Sequence, residues 1–312
     1  MQGTILVLLD GSETAERAVP LALAVAARAD ARLHLVHVHL PVYELRARAP
    51  RSDAYRYEFD TMDEAEMYMS GMLDRLRLSA AGLATADIVR GDVIETLLRD
   101  LSRRDIGLVV MTTHGSGGPR GALMGGVALA IVRDSRTPLI IAGPAVPGWG
   151  IARGDDGPIL DIEVANIMVT LDGSEPAESV LPQATDLARA FGARLTLVAV
   201  VRELDPVSAR AGNVTPIGPS PREREMANYL DALSERLTID GVPANRRLVR
   251  SDDIAGAILR AASEEDADII AMTTHSAGST ARPDLGVVPA AVMSSARLPV
   301  LLCRPDAGWS RP

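Results

Sequence analysis

The stretch from Thr112 to Val127 holds the residues most suited to chemistry. It reads Thr-Thr-His-Gly-Ser-Gly-Gly-Pro-Arg-Gly-Ala-Leu-Met-Gly-Gly-Val, with glycine at 115, 117, 118, 121, 125 and 126. A loop without Cβ atoms can turn successive amides toward an anion, and a helix start behind it adds the positive end of a dipole. No Gly-Lys-Ser/Thr ends the stretch, so it is not a Walker loop. Its glycines follow a late strand rather than the first, so it is not the dinucleotide fingerprint either. The second candidate is the turn Asp10-Gly11-Ser12-Glu13, which follows the apolar run Ile5–Leu9. A carboxylate there can meet a ligand hydroxyl or simply close its own turn, and both readings stay open. Arg120 can reach a phosphate or lie in solvent.

Around these residues the acid–base repertoire is thin. Asp10, Asp92 and His114 are the candidates, and none has an evident partner, so turnover is not implied. His34, His37 and His39 recur along one run and read as a single strand face. No carboxylate or cysteine stands at matching spacing, so no metal site is expected. Cys303 is the one cysteine and lies in an apolar run, which predicts a small buried side chain. All 32 basic residues are arginine, which excludes Schiff-base and lysine-dependent phosphate chemistry. The net charge of −9 comes without a basic cluster and argues against nucleic acid. No run of 18 apolar residues exists, so no membrane span is expected, and the cytoplasm is the expected location.

The elements that must position the two candidates occur twice. Asp10-Gly11-Ser12-Glu13 returns as Asp172-Gly173-Ser174-Glu175, an offset of 162, and Met111-Thr112-Thr113-His114 returns as Met272-Thr273-Thr274-His275, an offset of 161. Two landmarks with nearly one offset imply a duplicated domain in a chain of 312 residues. The expected boundaries are 1–146 for the first domain, 147–164 for a linker rich in Pro and Gly, and 165–305 for the second. Apolar β-branched runs alternate with helical patterns, which reads as α/β with parallel sheets. Strands are expected near 4–9, 32–39, 85–90, 107–111 and 138–142, then near 166–171, 194–201, 246–250, 268–272 and 299–303. Helices are expected near 13–29, 60–81, 92–104 and 125–135. Ser12 and Ser174 are placed to cap the helices that follow them, and Pro176 suits a first turn. In an open doubly wound sheet, ligands sit beyond the carboxyl ends of strands where the chain order reverses, which would bring Asp10 and Thr112 together. The aromatics Tyr43, Tyr55, Tyr57 and Phe59 follow the second strand and read as a loop packed on its own domain.

With the Asp-Gly-Ser-Glu turn, Val36-His37-Val38 in the second strand and a Gly-x2-Gly-x9-Gly-Ser/Thr pattern, the chain resembles the universal stress protein family in its tandem form. The pattern lands on Thr112, Gly115, Gly125 and Gly126, with Val127 next. Two positions depart from it: Thr112 replaces the first glycine, and Gly126 replaces the hydroxyl residue. The resemblance implies two tandem doubly wound domains, each an open five-stranded parallel sheet with helices on both faces, of adenine-nucleotide alpha-hydrolase-like type. It also implies ATP, with or without Mg²⁺, in the first domain. Asp10 would face ribose or adenine, Val38 and Met111 would line the base pocket, and Thr112, Gly115, Gly125, Gly126 and Val127 would wrap the phosphates. In the second half Ser276 and Val287 replace Gly115 and Gly126, Asp284 adds negative charge, and the loop reads as degraded. Single-domain relatives pair through their last strand, so Pro138–Ala142 and Pro299–Cys303 are expected to pair within this chain as a pseudo-dimer, with association of two chains left open. Three functions are weighed: a nucleotide-binding stress protein with a regulatory role, a docking module whose pockets have both decayed, and a slow ATP hydrolase.

Overall fold

A computed structural model describes residues 3–39, 59, 61–77, 84–103, 105–113, 124–143, 146, 152–154, 157–159, 162–202, 218–274 and 285–305. The apolar runs of the first half become β1 (Thr4–Leu9), β2 (Arg32–His39), β3 (Ala84–Arg90), β4 (Ile106–Thr112) and β5 (Leu139–Ala142), in the spatial order β3-β2-β1-β4-β5. A short antiparallel hairpin follows, β6 (Ala152–Gly154) and β7 (Gly157–Ile159), within the stretch expected to be a plain linker. The second half supplies β8 (Asn166–Thr170), β9 (Arg194–Val201), β10 (Ala244–Arg250), β11 (Ile269–Thr273) and β12 (Val300–Cys303), ordered β10-β9-β8-β11-β12. Within each half every pairing is parallel.

The two halves meet along one antiparallel pairing. Strand β12 runs against β5, with Val300 opposite Ile141, Leu301 opposite Ile140 and Leu302 opposite Leu139. The last strand of each half is therefore interior to a single ten-stranded sheet, as the pseudo-dimer expectation required. Among the described strands of this sheet, β3 and β10 are the edges. On β10 the arginines are engaged, Arg246 with Asp231 and Arg247 with Glu264 and Glu265, and a charged edge resists pairing with another chain.

Helices cover both faces. The described ones are α1 (Glu13–Glu16), α2 (Val19–Ala29), α3 (Met62–Arg77), α4 (Val93–Arg103), α5 (Gly126–Asp134), α6 (Glu175–Glu178), α7 (Leu181–Phe191), α8 (Pro221–Ile239), α9 (Ile254–Glu264) and α10 (Val287–Ser295). Alternate strand residues feed two apolar layers. Ile5, Val7, Leu33 and Leu35 join residues of α2, α3, α7 and α8 on one face, while Leu6, Val36 and Val109 join α4, α5, α9 and α10 on the other. Each layer runs through both halves, so the sheet has a continuous core rather than two separate ones.

The helix expected over 13–29 is broken into α1 and α2. Pro20 has no amide to give to the Glu16 carbonyl, and Pro182 stands in the same relation to Glu178. Both copies carry the break at the same place. Arg28 on α2 crosses between the halves: its guanidinium lies 4.8 Å from the Phe191 ring centroid, and it donates to the Ile162 carbonyl at 3.4 Å.

Because Ile140 is fully buried at the β5–β12 seam, Ile140→Ala is expected to lower stability by about 2–5 kcal/mol. Chemical denaturation checks this, with Met67→Ala, at an exposed position, expected to stay within about 0.5 kcal/mol of the parent.

Candidate functional site

Strand β1 is paired with β2 on one side and β4 on the other, so chain order reverses between β1 and β4. Asp10 stands at the carboxyl end of β1 and Thr112 at that of β4, on either side of the crevice where open α/β sheets take ligands. Of the other expected site residues, Val38 and Met111 are buried in the α4–α5 layer, and Val127 packs against the same layer from α5. The structure thus brings Asp10, Val38, Met111, Thr112, Gly125, Gly126 and Val127 to one end of one half-sheet. Gly115, His114, Arg120, His275, Ser276 and Asp284 lie outside the described residues, as do Tyr43, Tyr55 and Tyr57.

The Asp10 turn is built locally. Asp10 Oδ1 accepts from the Ser12 amide at 3.1 Å and from the Ser12 hydroxyl at 2.6 Å, while Ser12 Oγ accepts from the Ala15 amide at 3.1 Å. Gly11 has φ +90°, which a side chain would resist. The second copy repeats the arrangement: Asp172 Oδ1 accepts from the Ser174 amide at 3.0 Å and from its hydroxyl, and Ser174 caps α6. The turn therefore belongs to the fold in both halves. The copies differ in surroundings, since Asp10 is half-buried and Asp172 exposed.

A further cluster repeats with the turn and was not singled out from sequence. In the first half Arg75 on α3 pairs with Glu16 on α1 at 3.2 Å, beside Tyr68. In the second, the Tyr229 hydroxyl donates to Glu178 at 2.9 Å and Arg236 approaches the same carboxylate at 3.8 Å. Burial pushes both tyrosine hydroxyls up, so they stay protonated, and Tyr229 is a donor. The recurrence of Glu, Tyr and Arg at the duplication offset was the signal in the sequence. The cluster ties the short helix after the turn to the long helix above it.

Helix α5 starts with no side-chain cap. Its N-cap is Gly125, whose amide donates to the Thr113 carbonyl at 2.7 Å; Gly286, at the start of α10, donates to Thr274 at 2.9 Å in the same way. These glycines are not needed for unusual dihedrals, since φ is −65° at Gly125 and −58° at Gly286. Gly286 is needed for space: a Cβ there would stand 3.0 Å from the Thr274 carbonyl oxygen. Gly125 holds the equivalent position in the first copy, with the same amide-to-carbonyl bond. The position that separates the copies is the next one. Gly126 is exposed at the first turn of α5, and its counterpart Val287 holds an isopropyl group, 87% exposed, over the first turn of α10.

The histidines require a correction. His34 lies an odd number of residues from His37, so alternation puts it on the opposite face. There His34 Nδ1 lies 2.8 Å from the Thr85 hydroxyl and Nε2 3.5 Å from Asp87, tying β2 to the edge strand β3. His37 and His39 share the other face, under α3. Phe59 packs on His37 and Tyr68, as expected for an aromatic that folds onto its own domain. Among the described residues no group of three potential ligands could hold a metal. Cys303 is buried and its thiol is pushed up to about 12 by that burial, so it carries no thiolate at neutral pH. Among the described residues no helix is long and apolar enough to cross a membrane.

A doubly wound sheet with a carboxylate turn after its first strand and a glycine-led helix after its fourth defines a class of α/β domain, here present twice. The universal stress protein family model matches residues 1–143 and again 163–304. The chain belongs to that family, in tandem form. It is 26% identical over 321 aligned residues to a universal stress protein of Mycobacterium tuberculosis, covering 96% of this chain and 94% of that one. A universal stress protein of Thermus aquaticus is 33% identical over 138 residues, covering 44% of this chain and 97% of the relative. The crystal structure of a universal stress protein from Archaeoglobus fulgidus superposes with a TM-score of 0.62 at 17% identity over 98% of both chains, which shows the same fold across both halves.

Adding the missing Cβ at the second copy's shared glycine tests its packing role. Gly286→Ala is expected to lower stability by about 1–3 kcal/mol, read from the denaturation midpoint, even though its dihedrals suit alanine.

Proposed function

We propose that the chain is a regulatory stress protein that binds ATP, with or without Mg²⁺, in its first domain. In this reading residues 1–146 form the binding domain, 147–164 the linker and 165–305 a structural partner domain. Asp10 faces the ribose or adenine, Val38 and Met111 form the floor under the base, and Thr112, Gly115, Gly125, Gly126 and Val127 wrap the phosphates. The observation that carries it is the contrast at the helix start, Gly126 against Val287, in copies that otherwise share the Asp turn and the preceding glycine. A helix start with a glycine at its first position leaves its backbone amides open to a phosphate oxygen; a valine there covers them with an apolar branch and lacks the hydroxyl that the family pattern offers a phosphate. Nothing in this reading calls for turnover, and cytoplasmic location follows only as an expectation.

A docking module without nucleotide is the second reading. What favours it is that Asp10 is already engaged by Ser12 in the manner of Asp172 and Ser174. Calorimetric titration of the full chain with ATP separates the two. The first reading predicts saturable binding below millimolar ATP and, because hydrogen bonds to a charged phosphate contribute about 1.5–3 kcal/mol each, at least about a tenfold weaker Kd in Gly126→Val. Absence of binding at millimolar ATP would leave the docking module as the better account.

A further inference from the structure

The strongest asymmetry outside the site is on the second strand of each half. Under α3, β2 carries His37 and His39; at the matching positions β9 carries Ala199 and Val201. Both imidazoles are deeply buried, at 2% and 4% exposure. His37 Nδ1 lies 3.0 Å from the Leu9 carbonyl. A carbonyl can only accept, so Nδ1 carries the proton in the neutral ring and Nε2 is left as an acceptor. That Nε2 and the His39 Nδ1 meet no hydrogen-bond partner among the described residues. The two ring centroids are 6.4 Å apart, and the edge-on Phe59 ring, 5.5 Å from His37, closes one side.

A second proton on His37 must sit on Nε2, in apolar surroundings without an acceptor among the described residues, and a charge on His39 would repel it. The ionisable groups around the pair are Asp10 at the end of β1, Glu16 on α1, Tyr68 and Arg75 on α3, and Arg90, which is in register with His39 on β3. Glu16 and Arg75 are paired with each other. Burial is the dominant influence and holds the His37 imidazolium below the ordinary histidine range; the Leu9 bond and Asp10 oppose it, and His39 reinforces it. A histidine depressed in the folded state leaves stability intact above its unfolded value of about 6.5. Stability is then lost as pH falls below that value, because the unfolded chain takes the proton more readily.

We infer that the His37–His39 pair makes the first half of the chain, and not the second, loosen in acid. The loosening starts where the pair is packed, under α3 and Phe59, since the incoming proton goes to the unpartnered Nε2 while the Leu9 bond persists. His34 is placed differently: it faces Thr85 and Asp87 on the edge strand, away from the pair.

Hydrogen exchange of the full chain, read by mass spectrometry at pH 7.5 and 5.5 and corrected for intrinsic chemical rates, tests this directly. Peptides from 4–39 are expected to lose protection by about tenfold, while those from 166–201 stay unchanged. His37→Ala combined with His39→Val installs the second half's own residues and is expected to abolish the difference. Equal loosening of both halves, or an acid response that persists in the double variant, would overturn the inference. If the variant does not fold, histidine ring-proton titration by NMR decides on the parent chain: a His37 midpoint at or above about 6.5 refutes it, and one below supports it.

Discussion

The pairing of β5 with β12 is the constraint on which the rest depends. Each half alone would end in a four-residue apolar strand, Leu139–Ala142 or Val300–Cys303, with one side unpaired. An exposed apolar edge invites association. Duplication within one chain supplies the partner at high effective concentration, and both apolar layers then run through the seam. The remaining edges, β3 and β10, are less buried, and β10 is laced with arginine ion pairs. The tandem arrangement thereby removes the reason for two chains to join through this strand.

Because the seam relates the halves by a pseudo-twofold, each acts as a control for the other. Features present in both belong to the fold: the Asp-Gly-Ser turn, the proline break after the first short helix, the Glu–Tyr–Arg cluster and the glycine whose amide bonds the carbonyl after the fourth strand. Features present once are where function can differ. These are Gly126 against Val287 and the buried histidine pair against Ala199 and Val201. Both singular features belong to the first half and flank its Asp10 turn from opposite faces of the sheet. On the nucleotide reading, one admits the phosphates and the other makes the strand end sensitive to pH.

Most of the fold was legible because its signals are local. Apolar runs without alternation marked the buried parallel strands, and Ser12 and Ser174 marked helix starts through a capping bond that spans three residues. What sequence reasoning missed depended on geometry across elements. The proline break was visible as Pro20 and Pro182, but the helical period on both sides masked it. That Gly286 sits against the Thr274 carbonyl of its own chain was not visible in the sequence. His34 was grouped with His37 and His39 by spacing in the sequence, whereas the pleat assigns odd offsets to opposite faces. The hairpin at 152–159 carried no periodic signal, since three-residue strands are too short to show one.

The central claim is that one copy of a duplicated domain holds the nucleotide. Photo-crosslinking of the full chain with an azido-adenine analogue of ATP, followed by peptide mapping, tests it most directly. The account predicts labelling, competed away by ATP, in peptides from the first half, at the ends of β1, β2 or β4, and none in the matching segments of the second half. Competed labelling confined to the second half, or equal labelling of both, would contradict it.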